Sequence, residues 1–430
     1  MTTSIRGPER PASHALTIVA ALESAAGSGA TWLTFHRGAE ARALSFAAAF
    51  DLALRWCAAL RQAGVEPGDR VAVIQPNGAD FVGAFFGAQL AGATAVPLAW
   101  PVVAAAGERN HALLAAQVLH AGVSAIATQP GFGSAFGAPL VTAPADAGIA
   151  SLPAGEEDAA FLQYTSGTTG APRAAIISQR AAVASAQAMG LSLRLGPSDV
   201  AVSWLPLFHD MGLVGVLLCS LLYRFPVHVL SPAEFLLRPA RWLELLASSR
   251  ATLTVAPNFG YELAVRRVRG SYDLSSLRQA LDGSEPVHRA TLDAFERRFA
   301  LRPCTVLPVY GLAENTLGVC FSDDPSPATD LQWEGRAVPS VGPPLPGVEV
   351  KVPAGGAGEI CVRGPSLMSG YFRDPEATAA ALPGGWLRTG DLGVIHGGRL
   401  YVTGREKDLV IKNGRKFHPY DIERVVAAAV

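Results

Sequence analysis

Between about Val71 and Val309, short runs rich in β-branched residues alternate with longer stretches that have the helical period of apolar positions. This alternation predicts right-handed βαβ units, largely parallel sheets, and ligands at the carboxyl ends of the strands. The predicted strands are Val71–Gln75, Thr94–Leu98, Ala160–Tyr164, Ala174–Ile177, Val200–Trp204, Val227–Leu230, Thr252–Ala256 and Thr305–Val309. The predicted helices are Gly78–Ala91, Ser178–Met189, Gly212–Tyr223, Pro239–Ser248, Phe259–Val268 and Val287–Phe299.

After Gly311 the pattern changes, and loops rich in proline and glycine separate short strands. The strands predicted there are Val348–Val352, Gly358–Arg363 and Arg399–Thr403. They indicate a small β lobe, at about residues 317–404, that completes a large α/β N-terminal domain of residues 1–404. Residues 405–430 are too few to bury a core. We therefore expect them to be a hinge and the beginning of a C-terminal domain, inside which the sequence stops.

The composition of the chain argues against several classes of protein. Of 430 residues, 50% are apolar and 17% charged, which predicts a large core. The net charge of −1 gives no electrostatic case for binding nucleic acid or an anionic membrane. Five dispersed cysteines show no zinc spacing and favour a reducing, cytoplasmic setting. The uncharged stretch Phe81–Gly107 is interrupted by glycine and proline, which predicts a buried helix and strand rather than a membrane span. Met1–Ala20 lacks the pattern of a signal peptide.

The segment Tyr164–Arg173 has the composition of a phosphate-binding loop, and it lies between two predicted strands. Glycine lets backbone N–H groups surround an anion, the hydroxyls add donors, and Arg173 can balance charge. A flexible turn is the alternative, although an unbroken run of such residues disfavours it. Neither GxxxxGK[ST] nor GxSxG occurs in the sequence, which argues against a P-loop enzyme and a hydrolase elbow. The residues of the predicted loop are Thr165, Ser166, Gly167, Thr168, Thr169 and Gly170.

With this loop and five further motifs, the chain resembles the adenylate-forming superfamily, which includes acyl-CoA ligases, amino-acid adenylation domains and fatty acyl-AMP ligases. The motifs occur in the family's order and span about Val71 to Glu423, so the resemblance is specific. It implies the large multi-lobed domain of these enzymes, with two βαβ-type sheets and a small β lobe. The further motifs are Trp204–Gly215, Asp282–Pro286, Tyr310–Thr316, Arg388–Gly393 and Gly404–Asp408.

The resemblance implies that ATP and Mg²⁺ bind at these motifs. Glu314 and Thr165 would hold the metal, a hard cation that prefers oxygen ligands. Asp391 would accept the ribose hydroxyls, Arg405 would reach the ribose or phosphate, and Asp408 would be the hinge. Taken alone, Arg405, Lys407 and Asp408 would be read as a surface charge cluster. The other nucleotide-binding residues that it implies are Gly283, Ser284, Glu285, Pro286, Tyr310, Gly311, Leu312, Ala313 and Thr316.

The acyl pocket is expected around His209. Neighbouring residues on a helix or strand point apart, so we predict that His209 and Asp210 do not pair directly. A carboxylate substrate is already ionised at neutral pH and needs no general base, so His209 would shape the pocket entrance. Gly212, Gly215 and Gly260 would either open a channel or permit close helix packing. The predicted pocket residues are His209, Asp210, Met211, Gly212, Asn258 and Phe259.

The implied reaction is attack of the carboxylate on the α-phosphorus of ATP, which releases pyrophosphate and forms an acyl-adenylate. Electrostatic positioning supplies most of the catalysis in such transfers. Thr165, Arg173, His209 and Glu314 are the predicted catalytic residues. The family also places a lysine near its far C-terminus. That region would lie beyond Val430, and none of the four lysines in this sequence occupies it.

Three stretches are similar to fatty acyl-AMP ligases: Trp204–Gly215, Phe235–Trp242 and Ala256–Leu263. They imply a fatty acid as substrate, an acyl carrier protein as acceptor, and a role in natural-product biosynthesis. The segment Leu317–Val341 is shorter than in those ligases, glycine stands at 170 where they often carry arginine, and Arg173-Ala174 replaces the commoner Lys-Gly. An acyl-CoA ligase therefore stays an alternative, as does a fragment that binds nucleotide and acyl group with little turnover.

Overall fold

The computed structural model describes residues 2–13, 15–101, 107–133, 136–165, 172–406, 410–412 and 415–417. Its α-helices are α1 Ile18–Ala25, α2 Phe46–Gln62, α3 Ala79–Leu90, α4 Gly107–Ala121, α5 Gln179–Leu193, α6 Cys219–Tyr223, α7 Pro232–Leu237, α8 Ala240–Ser248, α9 Asn258–Arg267, α10 Arg289–Arg298 and α11 Pro375–Ala381. Its strands up to the phosphate loop are β1 Thr2–Arg6, β2 Thr31–Arg37, β3 Glu40–Ser45, β4 Arg70–Val73, β5 Thr94–Pro97, β6 Ala125–Ala127, β7 Leu140–Val141 and β8 Ala159–Thr165.

The strands that follow carry the predicted site and the β lobe. They are β9 Arg173–Ser178, β10 Ala201–Ser203, β11 Val227–Val229, β12 Leu253–Ala256, β13 Gln279–Asp282, β14 Val306–Gly311, β15 Gly318–Phe321, β16 Leu331–Trp333, β17 Arg336–Val338, β18 Glu349–Pro353, β19 Gly358–Arg363, β20 Gly370–Tyr371, β21 Leu387–His396, β22 Arg399–Arg405, β23 Val410–Lys412 and β24 Arg415–Phe417.

The largest sheet has eight strands in the order β15-β14-β13-β12-β10-β11-β2-β3. The strands from β14 to β2 run parallel, whereas β15 and β3 pair antiparallel at the two edges. Helices α8, α9 and α10 cover one face through a buried aromatic cluster, in which Trp242 contacts both Tyr261 and Phe295. Because β10, β12, β13 and β14 are parallel, their carboxyl ends lie along one edge.

A second sheet of seven strands has the order β20-β9-β8-β5-β4-β6-β7. Its inner strands are parallel, but β8 and β9 pair antiparallel as a hairpin, and β20 adds antiparallel to β9. The predicted phosphate loop is therefore the connection of a hairpin. This differs from a strand-to-helix phosphate loop, in which the helix N-terminus faces the anion.

The third sheet has five antiparallel strands in the order β1-β18-β19-β21-β22. Four of them come from the segment that was predicted to be a β lobe, and the fifth, β1, comes from the start of the chain. Arg6 of β1 donates to the Glu349 carboxylate of β18 at 2.9 Å, and Arg363 of β19 donates to the same carboxylate at 2.6 Å. Residues distant in sequence thus share one small sheet.

Most predicted helices and strands are confirmed to within a few residues. The strands that were not predicted include β1, β2, β3, β6, β7, β13, β15, β16, β17, β20 and β21, and the helices that were not predicted are α1, α2, α4, α7 and α11. The predicted helix Gly212–Tyr223 is a π-helical segment, Met211–Leu218, followed by the short α6. The stretch Phe81–Gly107 contributes to α3 and β5, and both are buried where the structure describes them. In the described part of the chain, no helix has the length and apolarity that a bilayer crossing needs.

Candidate functional site

The two ends of the predicted phosphate loop are held in register by the hairpin. Thr165, the last residue of β8, pairs with Arg173, the first residue of β9. The Thr165 hydroxyl lies 3.5 Å from the Arg173 carbonyl oxygen. The predicted loop residues Ser166, Gly167, Thr168, Thr169 and Gly170 lie outside the described residues. Their roles stay predictions, whereas the positions of the flanking residues are fixed.

A chain of contacts connects Arg173 to Glu314. The Arg173 guanidinium carbon lies 5.0 Å from the centre of the Tyr371 ring, within the range of a cation–π interaction. The Tyr371 hydroxyl donates to Glu314 Oε1 at 2.8 Å. Arg173 also approaches the carboxylate of Asp374, with 3.9 Å between Nε and Oδ2. Tyr371 therefore lies between the Arg173 guanidinium and the carboxylate of Glu314, the predicted metal ligand.

The Glu314 carboxyl group is buried, and its pKa is raised above the usual value. Burial raises its pKa, the hydrogen bond from Tyr371 lowers it, and the charges of Asp210 and Asp391 raise it further. Tyr371 occupies one of the roughly four acceptor positions of a carboxylate, so acceptor positions are left for a cation. The described residues contain no group of three or more histidine, cysteine and acidic side chains that could hold a metal.

The predicted ribose-binding carboxylate is engaged by two protein donors. Asp391 is 3% exposed, and its Oδ2 accepts a hydrogen bond from the Tyr310 hydroxyl at 2.7 Å. Its Oδ1 forms an ion pair with Nε of Arg405 at 2.6 Å, across the paired strands β21 and β22. The structure thus brings together three residues that the sequence analysis assigned to the nucleotide. Their hydrogen bonds hold the carboxylate in one orientation.

The prediction that His209 and Asp210 do not pair is wrong. His209 Nδ1 lies 2.7 Å from Asp210 Oδ1. His209 occupies a turn, in which its backbone N–H donates to the Pro206 carbonyl, and Asp210 caps the π-helical segment by accepting from the Met211 N–H. The alternation of a regular strand or helix does not apply at such a junction. Burial lowers the pKa of the His209 imidazole, but the hydrogen bond and charge of Asp210 outweigh this and raise it above its usual value.

The turn before His209 is anchored by residues of the seven-stranded sheet. The Asn77 amide donates to the carbonyl oxygens of Leu205 and Leu230, and its side-chain oxygen accepts from the Leu207 N–H. Gln163, two residues before Thr165 on β8, donates to the Phe208 carbonyl at 3.1 Å. The imidazole itself stays accessible, with 46% of the side chain exposed. These contacts position His209 relative to the strand that leads into the phosphate loop.

The predicted pocket lining meets at the carboxyl edge of the eight-stranded sheet. Glu285 accepts a hydrogen bond from the backbone N–H of Phe259, at the beginning of α9. Asn258 is buried, and its side-chain oxygen accepts from the His288 N–H. Phe259 is 41% exposed and contacts Trp204 edge to face. This group brings the segment Gly283–Pro286 together with α9 and with the end of β10.

The glycines of the site permit close packing in this structure. A Cβ atom at Gly212 would lie 2.2 Å from the Pro206 carbonyl oxygen, and one at Gly260 would lie 2.7 Å from the Trp204 ring. A Cβ at Gly215 would lie 3.1 Å from Leu317. Of the two roles that the sequence left open, the structure supports close packing over an open channel.

The turn after β14 is tied to the β lobe. Thr316 is fully buried, with φ of +62°, and its hydroxyl donates to the Ser366 carbonyl at 2.6 Å. The Met368 N–H donates to the Glu314 carbonyl. In this conformation the Thr316 hydroxyl therefore supports the turn that carries Glu314, and its predicted contact with phosphate stays untested. Asp408 lies outside the described residues, so its hinge role also stays a prediction.

Three residues that the structure places at the site were not predicted from the sequence. Tyr371 lies on β20, a two-residue strand with no hydrophobic period to reveal it, and Asp374 follows that strand; both approach Arg173. Asp282 was quoted within its motif but received no role, although it directly precedes the predicted nucleotide segment. A carboxylate at the carboxyl end of a buried strand was the available signal.

The fold consists of two mixed sheets and a β lobe. Near its predicted site a carboxylate lies close to the ends of a glycine- and hydroxyl-rich loop. This combination defines an adenylate-forming enzyme, which joins a carboxylic acid to AMP. Comparison with protein families agrees. The family described as AMP-binding enzyme matches residues 23–372, and the chain belongs to that family.

Individual relatives show which members of the family this chain is similar to. The chain is 35% identical over 460 residues to a protein of Caulobacter vibrioides described, only provisionally, as an acyl-CoA synthetase, covering 95% of this chain and 80% of the relative. It is 37% identical over 422 residues to the long-chain-fatty-acid–AMP ligase FadD26 of Mycobacterium tuberculosis, covering 84% and 72%. A structure from a study of fatty acyl-adenylate ligases of E. coli and L. pneumophila has a TM-score of 0.86, 35% identity, and coverage of 96% and 83%.

Proposed function

We propose that this enzyme activates a fatty acid with ATP and Mg²⁺, releases pyrophosphate, and passes the acyl group of the acyl-adenylate to an acyl carrier protein. The observation that carries the proposal is the contact chain from Arg173 through Tyr371 to Glu314. These contacts place the Arg173 guanidinium and the buried Glu314 carboxylate near the end of a loop that is rich in residues suited to bind phosphate. The similarity to a long-chain-fatty-acid–AMP ligase supports the choice of acid.

Each charged residue has a task in this reaction. Asp210 raises the pKa of the His209 imidazole, and the imidazole in its cationic form attracts the substrate carboxylate. The carboxylate oxygen attacks the α-phosphorus, and the bond from that phosphorus to the pyrophosphate oxygen breaks. Arg173 and the Thr165 hydroxyl face the charge that moves onto the departing pyrophosphate. Asp391 orients the ribose while Tyr310 and Arg405 hold its carboxylate in place. Fixed charges of this kind are usually the largest contribution to such catalysis.

Mg²⁺ fits the donor set. Glu314, in the turn after β14, would supply a carboxylate oxygen, and Thr165, the last residue of β8, would supply a hydroxyl. When bound, the metal neutralises charge on the phosphates. The structure offers no all-protein cage among the described residues, which suits an ion that arrives with its nucleotide.

The two candidate functions differ in the molecule that accepts the acyl group. A carrier protein is the proposal because the sequence motifs and one relative are those of an acid–AMP ligase. An acyl-CoA ligase is the second candidate, favoured by the short segment Leu317–Val341 and by the relative from Caulobacter.

The experiment measures pyrophosphate release with ATP, Mg²⁺ and saturated fatty acids that run from short to long chains, and traps the adenylate as a hydroxamate. We expect release that depends on the acid. Carrier protein or CoA is then added to the same reaction, and thioester is measured. Thioester on the carrier alone supports the proposal, and thioester on CoA alone supports the second candidate. If no fatty acid gives pyrophosphate or hydroxamate, the proposed substrate class is refuted.

A further inference from the structure

The Asp282 carboxyl group is buried without a partner. It is 0% exposed, and among the described residues neither of its oxygen atoms has a hydrogen-bond partner. A buried polar group left in this condition destabilises a folded protein. The neighbouring polar groups are already engaged, since the Tyr261 hydroxyl donates to the Leu281 carbonyl and Glu262 accepts from Asn258. Folding alone does not account for a carboxyl group at this position.

A second unpartnered polar group lies in the same row. Trp204 is 3% exposed, and its Nε1 atom is buried without a partner in the described structure. Val202 pairs with Thr254, and Ala256 pairs with Asp282. Because side chains alternate along a strand, Trp204, Ala256 and Asp282 share one face at the carboxyl ends of β10, β12 and β13. A Cβ at Gly260 would touch both the Trp204 ring and the Ala256 methyl group, which agrees with this placement.

The row adjoins residues of the predicted acyl site. Asp282 directly precedes Gly283, the first residue of the nucleotide segment. Trp204 begins the stretch that ends at His209, and its ring centre lies 5.8 Å from that of Phe259. Both unpartnered groups are thus attached to the elements on which the acyl substrate is expected to lie.

The charge state of Asp282 decides which ligand it suits. Burial raises its pKa well above the usual value, and the charges of Glu285 and Glu262 raise it further. These effects favour the neutral carboxylic acid, which has one O–H donor and one carbonyl acceptor. The Trp204 indole adds one N–H donor. A hydroxyl group accepts from both donors and donates to the carbonyl, which satisfies all three groups. A keto group would leave the Asp282 carbonyl unpaired, and a methylene would leave all three unpaired.

We propose that Asp282 and Trp204 form a polar subsite of the acyl pocket, and that the preferred substrates are carboxylic acids with a hydroxyl group on the chain. This inference rests on the proposed function and names the substrate class within it. The hydroxyl belongs to an alkyl chain or to a phenol, and both present the same donor and acceptor to the subsite.

The experiment compares kcat/KM for pyrophosphate release between hydroxylated acids and their unsubstituted parents of equal length. One arm carries the hydroxyl at successive chain positions, and the other uses phenolic acids, so the two sources are distinguished. For the best pair we expect a preference of roughly 100-fold for the hydroxylated acid, as in sites built to bind a hydroxyl. Asp282→Val should lower this ratio by about tenfold or more and raise kcat/KM for the parent acid.

Trp204→Phe is the second variant, because it removes the N–H donor and keeps a ring against Phe235. It should lower the same ratio even if Asp282→Val fails to fold. Thr128→Val is the matched control, since it removes a buried unpartnered hydroxyl from the other sheet and should leave the ratio unchanged. Release with parent acids but no hydroxyl preference, or a ratio that both site variants leave intact, overturns the inference alone. No release with any acid refutes the proposed function instead.

Discussion

The acidic residues around the site differ in how many partners they have, and this difference separates their roles. Asp391 has two protein donors, Glu314 has the Tyr371 hydroxyl, and Asp282 has none among the described residues. A fully engaged carboxylate is held as a fixed acceptor, and a partly engaged one has room for a cation. An unengaged, neutral acid is suited to a hydroxyl ligand.

Replacing Glu314 should affect metal-dependent turnover more than folding. We expect Glu314→Gln to lower kcat/KM for pyrophosphate release on the order of 100-fold, because the amide removes the charge that faces the metal. Tyr371→Phe keeps the carboxylate and loses only its hydrogen bond, so its loss should be smaller. Titration of turnover against Mg²⁺ measures both. Equal rates for Glu314→Gln and the wild type would refute the metal assignment.

The raised pKa of His209 predicts a pH dependence for substrate binding. The imidazole is cationic below this pKa and loses its charge as pH rises through it, so KM for the acid should increase in that range above pH 6.5. Asp210→Asn removes the charge that raises the pKa and can retain an oxygen that caps Met211. Its KM should therefore begin to rise at lower pH. The measurement is KM for the acid against pH, and superimposable profiles of the two proteins would contradict this role of His209.

At the residue scale, the sequence indicated which residues carry functional groups better than it indicated which residues contact each other. Glu314, Asp391 and Arg405 stood out because charged residues in short motifs are visible without a fold. The partners of those residues were not visible, because Tyr371 is 57 positions from Glu314 along the chain. The His209–Asp210 pair failed for a different reason, since the rule for regular elements was applied at a turn.

At the scale of elements, the π-helical segment is the clearest departure from expectation. Nearly all residues of this apolar run, Met211–Leu218, are buried, so the run has no polar face. A long apolar run indicates a helix but does not distinguish its type. Strand β13 was missed because Gln279–Asp282 has only four residues and no alternation. Its identity depends on pairing with β12 and β14, which a local pattern does not contain.

Gly212 provides a test of this segment. Alanine normally favours a helix over glycine by about 1 kcal/mol, but here its Cβ would lie 2.2 Å from the Pro206 carbonyl oxygen. We expect Gly212→Ala to destabilise the protein by about 1–3 kcal/mol, as overpacking does. Gly196→Ala is the control, because nothing lies within 4 Å of its added Cβ. Thermal unfolding compares the two, and an unchanged melting temperature for Gly212→Ala would contradict the close packing.

At the scale of the molecule, Asn77 joins the two large sheets. It follows β4 of the seven-stranded sheet, and its amide contacts three backbone groups on the side of the eight-stranded sheet. Asn77→Leu removes all three hydrogen bonds and should cost on the order of 3 kcal/mol. Because Leu205 and Leu207 precede His209, KM for the acid should also rise.

Asn77→Asp separates the contributions, because it keeps the acceptor for Leu207 and removes both donors. Its loss of stability, measured by denaturant unfolding, should lie between those of the wild type and Asn77→Leu. If Asn77→Leu were as stable as the wild type, the sheets would not depend on this contact.

The overall architecture was largely predictable, because alternating strands and helices imply parallel sheets whatever the details. The edge strands β1, β3 and β15 were not predictable, because their positions depend on how the sheets are assembled from distant parts of the sequence. Thr2–Arg6 completes a sheet formed mostly from residues after 348. Nothing in five residues at the start of a chain indicates such a partner.

The hairpin around the phosphate loop has a consequence for how this enzyme can be altered. Thr165 pairs with Arg173 across the hairpin, and Tyr371 of β20 packs against the Arg173 guanidinium. The segment 166–172 is therefore attached to an anchored residue at each end. Libraries or grafts from related enzymes can be exchanged within it, and the strands would keep the frame into which each new loop is inserted.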